Sequence, residues 1–419
     1  MNLSSARRFF LHGGPDAGSA AGRPGRGLAR TLPDRLRHGD VGVAPALLGL
    51  VLIAAVFQAA NPHFLTPLNL TNLMVQIASV GAMATGIVLV LLLGEIDLSI
   101  GAVSGFSAAI MAVLAEKHGL PGAVAVLAAL AAGGLIGLFQ GWWIARLQVP
   151  SFVVTLAGYV GWQGALLWIL GSTGTINLSD PFVTGIANTL WPTWAGWCLA
   201  GLALAALAAN GLADRRRRAR AGLAPRPWAW RAAAWSGLAL LAVLVMSVNR
   251  NPRRDPPIVG VPSGVVILVA LVVLFDVLTR RTRFGRYIFA VGGGAEAARR
   301  AGIAVERIRI AVFGLASALA AAGGILAGSR LYAVNQSSGG GDVLLNAIAA
   351  AVIGGTSLFG GRGSTWSALL GAVIIGAIAN GMDLLAFASS VRFMITGAVL
   401  LVAVTLDSYA RRRRAESGR

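Results

Sequence analysis

Long apolar runs separated by short polar interruptions make up most of the chain. The runs are the length of a bilayer crossing rather than of a core strand. Val41–Ala60 and Ala123–Ala145 are two such runs; as helices, at 1.5 Å per residue, they reach across a hydrocarbon core of about 30 Å. Spans are predicted at 43–60, at 69–93 with a helix start in Asn69–Asn72, and at 100–115, 122–145 and 152–170. The next is led by Trp191, Trp194 and Trp197 at an aromatic belt and ends at Arg215–Arg218. Another opens at Trp228, Trp230 and Trp235 and runs to Val248. Spans at 262–278 and 310–332 follow, then runs near 344–359, 364–382 and 391–408. With both termini cytoplasmic the count is about twelve crossings, or about ten if two short ones are re-entrant. The fold class is an all-α polytopic membrane protein.

The polar interruptions carry the functional information. The largest, Arg280–Arg309, holds eight arginines against two glutamates. Its glycine turn, Gly292-Gly293-Gly294, leads into an alanine-rich run that closes at Gly302, the pattern of a short surface helix ending on a C′ glycine. The positive-inside rule accounts for a basic loop here; the ordered composition further suits a docking surface for a cytoplasmic partner. A second interruption, Gly94–Ser99, sets Glu95 and Asp97 between two apolar runs. Two readings stand: a tight cytoplasmic turn with Asp97 capping the next helix, or a helix broken inside the bilayer with polar backbone facing a cavity. Asn335–Asp342 reads as a polar outer loop, and Asn380-Gly381-Met382-Asp383 lies near the outer end of its span, where water reaches. Asp276 and Asp407 lie near arginine-marked inner ends and read as interfacial.

Gly94–Ala112 laid over Gly354–Ala372 without a gap gives identities at Gly94/Gly354, Leu98/Leu358, Gly101/Gly361, Ser104/Ser364, Ser107/Ser367, Ala108/Ala368 and Ala112/Ala372. Two glycine-interrupted pseudo-repeat segments at matching places point to a transport path. Candidate path residues are Glu95, Asp97 and Ser99, Ser357 (opposite Asp97 in the overlay), and Asn380 and Asp383. Because a serine faces Asp97, the acids are not a symmetric pair, which weakens a proton-relay reading. Gly133-Gly134 with Gly137, and Gly371 with Gly376, predict close helix packing.

Composition narrows the choice. Apolar residues make up 56% of the chain and charged ones 12%, outside the range of soluble domains. The net charge of +19 comes from arginines at the ends of apolar runs, a pattern of topology and lipid contact rather than nucleic-acid binding. One breach stands out: Arg250, Arg253 and Arg254 fall on the side that alternation places outside. The single cysteine, Cys198, and four scattered histidines offer no disulfide, metal or catalytic constellation. Lys117 is the only lysine and follows no glycine loop, so the chain carries no P-loop ATPase. Residues 1–41, with Arg7-Arg8 but no apolar segment after them, read as a disordered basic cytoplasmic tail rather than a twin-arginine signal. Residues 410–419 form a second cytoplasmic tail.

Four stretches in order now carry a resemblance: GEIDLSIGA from Gly94, PSFVVTLAGYVGWQG at Pro150–Gly164, FGRYIFAVGGGAEAARRAGI at Phe284–Ile303, and VIGGTSLFGGRGSTWSALLGAVIIG at Val352–Gly376. They resemble the permease subunits of bacterial ABC importers for monosaccharides, the ribose/xylose/galactose branch, nearest its xylose members. The resemblance covers roughly 45–409 and implies a transmembrane permease domain over 42–409 with a cytoplasmic coupling loop at 280–309. It further implies a homodimer in the bacterial inner membrane and a separate ATPase subunit on the cytoplasmic face that binds ATP and Mg. A periplasmic sugar-binding protein would deliver the solute, and this chain would hold no cofactor and catalyse nothing. Gly294, Ala295, Glu296, Arg299, Arg300 and Gly302 would form the ATPase-coupling helix. Within that segment the chain departs from the family twice, with Gly294 where asparagine is common and Ala301 where serine is. The alternatives are a branched-chain amino-acid-type ABC permease and an ion-coupled secondary transporter built on Glu95 or Asp97.

Overall fold

The computed structural model describes residues 44–223 and 259–416. The predicted tail 1–41, the span predicted from Trp228 to Val248 and the three arginines after it lie outside the described residues. Helices α1 (Ala44–Ala60), α2 (Pro67–Leu92), α3 (Ile100–Ala112), α4 (Gly122–Arg146) and α5 (Ser151–Leu170) come first. Strand β1 (Thr175–Asn177), helix α6 (Pro181–Asn188), strand β2 (Leu190–Trp191), helix α7 (Thr193–Arg220) and strand β3 (Val261–Pro262) follow. Then come α8 (Ser263–Arg281), α9 (Arg283–Gly293), α10 (Ala295–Arg300), α11 (Val305–Leu331), strand β4 (Ala333–Asn335), α12 (Gly341–Ile353), α13 (Thr365–Leu384) and α14 (Ser389–Glu416). Among the described residues seven helices are long and apolar enough to cross a membrane: α2, α3 with its π-helical extension to Lys117, α4, α5, α8, α11 and α13. The molecule is an all-α polytopic membrane protein. The predicted carboxy-terminal tail continues α14 as far as Glu416.

Local chemistry sets the ends of these helices. Thr66 caps α2, its hydroxyl accepting from Asn69 N at 3.4 Å, with Pro67 at the first helical position; the start therefore lies two residues before the Asn69 read from the sequence. Asp180 caps α6 by accepting from Val183 N at 2.9 Å. Hydroxyls inside the spans turn back on their own helix, Thr85 to Gly81 O and Thr279 to Phe275 O at 2.8 Å each, so they need no partner in lipid.

Helices α2 and α11 form the centre, buried on nearly every face. Their neighbours approach through small residues, since lipid-solvated helices gain little from hydrophobicity alone. Gly133, Gly137 and Gly141 line α4 at four-residue spacing and rest on Ala321, Ser317 and Phe313 of α11. Gly371 rests on Ala350 and Gly376 on Ile77. The predicted glycine pairs thus do mark helix contacts.

Side-chain pairings fix two ends of the bundle. Arg146–Glu306, Arg309–Glu95 and Arg280–Asp276 collect at one, the basic end, which also carries α9 and α10. At the far end Asn61 Nδ2 donates to Leu384 O at 3.2 Å and Asn69 faces Asn380. Two antiparallel strand pairs also form, β1 with β4 and β2 with β3. Each long helix runs from one end to the other.

The stretch after α11 corrects two expectations. Read as an outer loop, Asn335–Asp342 instead descends along α3 and α5. Strand β4 pairs with β1, and the Gln336 carbonyl accepts from Gln163 Nε2 at 3.0 Å. Ser338 and Gly339 then lie against Gly105 and Gly101, the second and first turns of α3. A β-carbon at position 105 would overlap the Ser338 carbonyl oxygen. The run predicted over 344–359 is helical only to Ile353. At 13 residues α12 is about 20 Å long, too short to cross alone; strand, inward dip and half-helix share that crossing. Non-helical backbone at this depth is stable only where protein buries it or water lines it.

The two segments of the sequence echo meet at the basic end, where Gly94 and Gly360 touch. They share the interruption but not the register. The first helix opens at Ile100, whereas its gapless counterpart, position 360, is still a turn and the second helix opens at Thr365.

Candidate functional site

The basic end is built on α9. Thr282 caps it, its hydroxyl accepting from Gly285 N at 3.1 Å. Gly285, Ile288 and Val291 form its buried stripe. The predicted glycine turn is shorter than the sequence suggested, because Gly292 and Gly293 complete the helix and Gly294 alone makes the break. Gly292 must lack a side chain: a β-carbon there would overlap the Leu92 carbonyl oxygen at the end of α2. The same carbonyl accepts the Gly361 N–H at 3.0 Å. Helix α9 is thereby wedged between the end of α2 and the glycine turn that precedes α13.

Helix α10 stands out from this wedge. Ala298 is its buried anchor, and Glu296, Arg299 and Arg300 face solvent. Glu296 holds Arg299 at 2.9 Å and Arg300 at 3.2 Å, surface pairs worth a few tenths of a kcal/mol. The helix stops in a Schellman motif, Gly302 N donating to Arg299 O and Ile303 N to Ala298 O, with Gly302 at φ +81°. Gly294, at the head, gives no side-chain cap. An asparagine there, common in the family resembled, would supply one, and glycine forfeits only a few tenths of a kcal/mol. The six residues predicted for coupling are thus brought together on one short helix and the two glycines that flank it.

The Gly94–Ser99 interruption is a turn at this same end, joining α2 to α3. Glu95 pairs with Arg309 at 3.0 Å, both side chains mostly buried. Ser151 Oγ accepts from Ile96 N at 3.3 Å, so the turn is fastened to α5; the Thr155 hydroxyl, 3.3 Å from Ile96 O, donates to Ser151 O at 2.8 Å. Asp97 does not cap the helix but closes the turn, accepting from Ser99 N at 2.9 Å and Ser99 Oγ at 2.6 Å. Ser99 Oγ also lies 2.9 Å from the Gln140 amide. A hydroxyl has one proton; once it goes to the carboxylate, the amide must present its N–H to the hydroxyl oxygen. The result is a buried relay from Gln140 through Ser99 to Asp97. Burial pushes the Asp97 carboxyl from 3.8 up to about 6, against the two hydrogen bonds from Ser99. Ser357 lies in the neighbouring turn, its N–H donating to Arg362 O. Four of the six predicted path residues therefore sit at the basic end.

The other two sit at the far end. Asn380 and Asn69 exchange hydrogen bonds at 2.7 and 3.1 Å. They form the floor of a cavity of about 300 Å³, open to the far side, that Asp383 and Arg330 also line. Asp383 is paired with Arg392. Asn72, Gln76, Asn188 and Arg330, all at this cavity, were missed in the sequence. A usable signal existed: Asn72 and Gln76 stand at i, i+4 in an apolar helix, and Arg330 ends an apolar run. Also missed was the inward dip, with Gln336, Ser337 and Asp342 exposed along it.

Residues 69–404 match the family described as branched-chain amino acid transport system / permease component. The chain is 34% identical over 377 residues to the xylose transport system permease protein of Haemophilus influenzae, covering 89% of this chain and 98% of that one. It is 37% identical over 370 residues to the xylose transport system permease protein of Escherichia coli K12, covering 87% and 92%. With the ribose import permease protein of the same strain it shares 31% over 365 residues, again 87% and 92%. No solved structure matches significantly.

Proposed function

The chain belongs to the branched-chain amino acid transport system / permease component family, and on that premise we propose that it is the membrane-spanning subunit of an ATP-driven importer for a monosaccharide, xylose or a related sugar. It has no engine of its own; a separate ATPase subunit binds ATP and Mg and docks at the basic end. That end faces the cytoplasm of a bacterial inner membrane, by the positive-inside rule. The far end receives sugar from a periplasmic binding protein. Curated relatives named for xylose and ribose, matched over nine-tenths of their own length, support a sugar rather than an amino acid.

One observation carries the coupling: Gly292 packed on the Leu92 carbonyl, with Gly361 N on the same oxygen. A displacement of α10 passes through α9 to the ends of α2 and α13 without a flexible side chain between. Binding of ATP to the partner then biases the helices between outward- and inward-open arrangements through its differential affinity for the two. The inward dip at Gln336–Asp342 supplies polar backbone at membrane depth, and a second copy of the chain closes over its exposed side chains to make the route.

Reconstitution tests this reading. Full chain, ATPase and binding protein together in proteoliposomes should take up xylose with ATP and not without it. Arg299→Glu or Gly302→Trp, both at exposed positions, should leave insertion intact and disconnect hydrolysis from uptake. Wild-type uptake in both variants would remove α10 from the mechanism. Uphill transport by the chain alone would favour an ion-coupled carrier instead.

A further inference from the structure

The cavity at the far end is a polar chamber that four separate helices build together. Asn72 and Gln76 come from α2, Asn188 from α6, Arg330 from α11, and Asn380 with Asp383 from α13. Its chemistry is unusual for a surface hollow. Val75 is its single apolar wall residue. The amide nitrogen of Asn188 is used up on Thr184 O and Ser329 O, which leaves its oxygen for the cavity. Asn69 and Asn380 satisfy one another. Among the described residues the side chains of Asn72, Gln76 and Arg330 have no hydrogen-bond partner in the protein. Arg330 is half-buried and ends the most central helix of the bundle. Asp383 attracts Arg330 across the cavity but is bonded to Arg392, so the Arg330 guanidinium keeps donors to spare.

The unused groups are thus a planar fork of donors, two amides that both donate and accept, and a lone amide oxygen. That set suits vicinal hydroxyls, each of which gives one proton and takes another. An inorganic anion would use the fork but oppose the carboxylate and the Asn188 oxygen; a cation would be repelled by Arg330 and Arg392. The volume is at the small end for ligand pockets and fits one sugar ring. With no aromatic wall and almost no apolar one, the cavity gains little from burial, so binding stays weak. Weak occupancy is what a conduit requires, since a solute must leave as easily as it enters.

We propose that this cavity is a low-affinity seat for a monosaccharide at the mouth of the permease, with Arg330 and Gln76 holding adjacent hydroxyls. The choice of a sugar rests on the importer reading above. Along the chain, Arg330 is followed by Leu331, Tyr332, strand β4 and then the inward dip at Gln336.

The test uses the full chain in lipid nanodiscs, without ATPase or binding protein, and saturation-transfer NMR with D-xylose at millimolar concentration. The wild type should transfer saturation to the sugar and not to L-leucine at the same concentration. Arg330→Gln and, separately, Gln76→Leu should each weaken the interaction about tenfold, as expected for losing one hydrogen bond of this kind. Gln76 lines the wall without holding it together, so Q76L decides the matter if R330Q does not run as a monodisperse peak. No xylose signal in the wild type, preference for leucine, or wild-type binding in Q76L would each overturn the seat. Xylose binding that both variants lose, beside an absence of ATP-driven uptake in the full assembly, would leave the seat standing and bring down the importer reading alone.

Discussion

Arg309 reaches back from the first turns of α11 to Glu95, 3.0 Å away, and both side chains are largely withdrawn from solvent. This one pair ties the turn after α2 to the helix that follows α10. Removing one partner strands the other charge in a poor solvent. Arg309→Met is therefore expected to destabilise the folded chain by ~3 kcal/mol. The double variant with Glu95→Met should recover most of that loss. Thermal unfolding in detergent reads both; a single variant as stable as the wild type would show the pair to be idle.

Gly292 gives a sharper test of coupling, because the obstacle to a side chain is backbone on both sides, Leu92 O and Gly361 N. Gly292→Val should shift α9 off the end of α2 at a strain of about 1–3 kcal/mol. ATP-driven uptake should fall by tenfold or more while ATPase binding to α10, scored by co-purification, persists. Unchanged uptake would mean that force passes elsewhere.

The Asp97 carboxyl predicts a pH dependence. Burial raises it from 3.8 to about 6, so the folded chain holds this proton more tightly than the unfolded one. Its contribution is complete below about pH 4, where both states are protonated, and is lost as pH rises through about 6. The loss is about 3 kcal/mol at most. Asp97→Asn keeps the contacts to Ser99 without the titration. The stability difference between wild type and D97N should therefore change between pH 4 and 6.5 and stay flat above; a difference constant over the whole range would place Asp97 in contact with water.

Gly105 and Ser338 supply a fourth test, at the inward dip. Gly105→Ala puts a methyl group where the Ser338 carbonyl oxygen lies, so the dip must move away from α3. Uptake should drop severalfold with little change in membrane insertion, because α3 itself favours alanine by about 1 kcal/mol. A cysteine at Ser337 should react with a water-soluble maleimide in the wild-type background and change its rate in G105A. An unreactive cysteine in both would mean that lipid or protein, not water, covers this face.

Much of this is legible in the sequence. Of the ten to twelve spans predicted, the apolar runs gave the seven found among the described residues, since a bilayer demands about twenty such residues from any helix. Gly302 gave the end of α10, since only glycine readily takes a left-handed C′ position. Gly133-Gly134 with Gly137 announced a helix contact for a similar local reason, and Gly141 extends it in the structure.

What the sequence determined, then, depended on neighbours in the chain: the length of the seven spans, the close of α10 at Gly302, the basic end and its short helix. Only the tertiary structure decided which interruptions meet. Ser99 to Gln140, Glu95 to Arg309 and Asn69 to Asn380 are pairings across distant helices, and no local periodicity encodes them. The descent of Asn335–Asp342 was hidden for the same reason, as a polar stretch reads as an outer loop until the glycines of α3 are found making room for it. Depth in a membrane is set by what packs alongside, and a sequence records the gap left for a neighbour without saying whose it is.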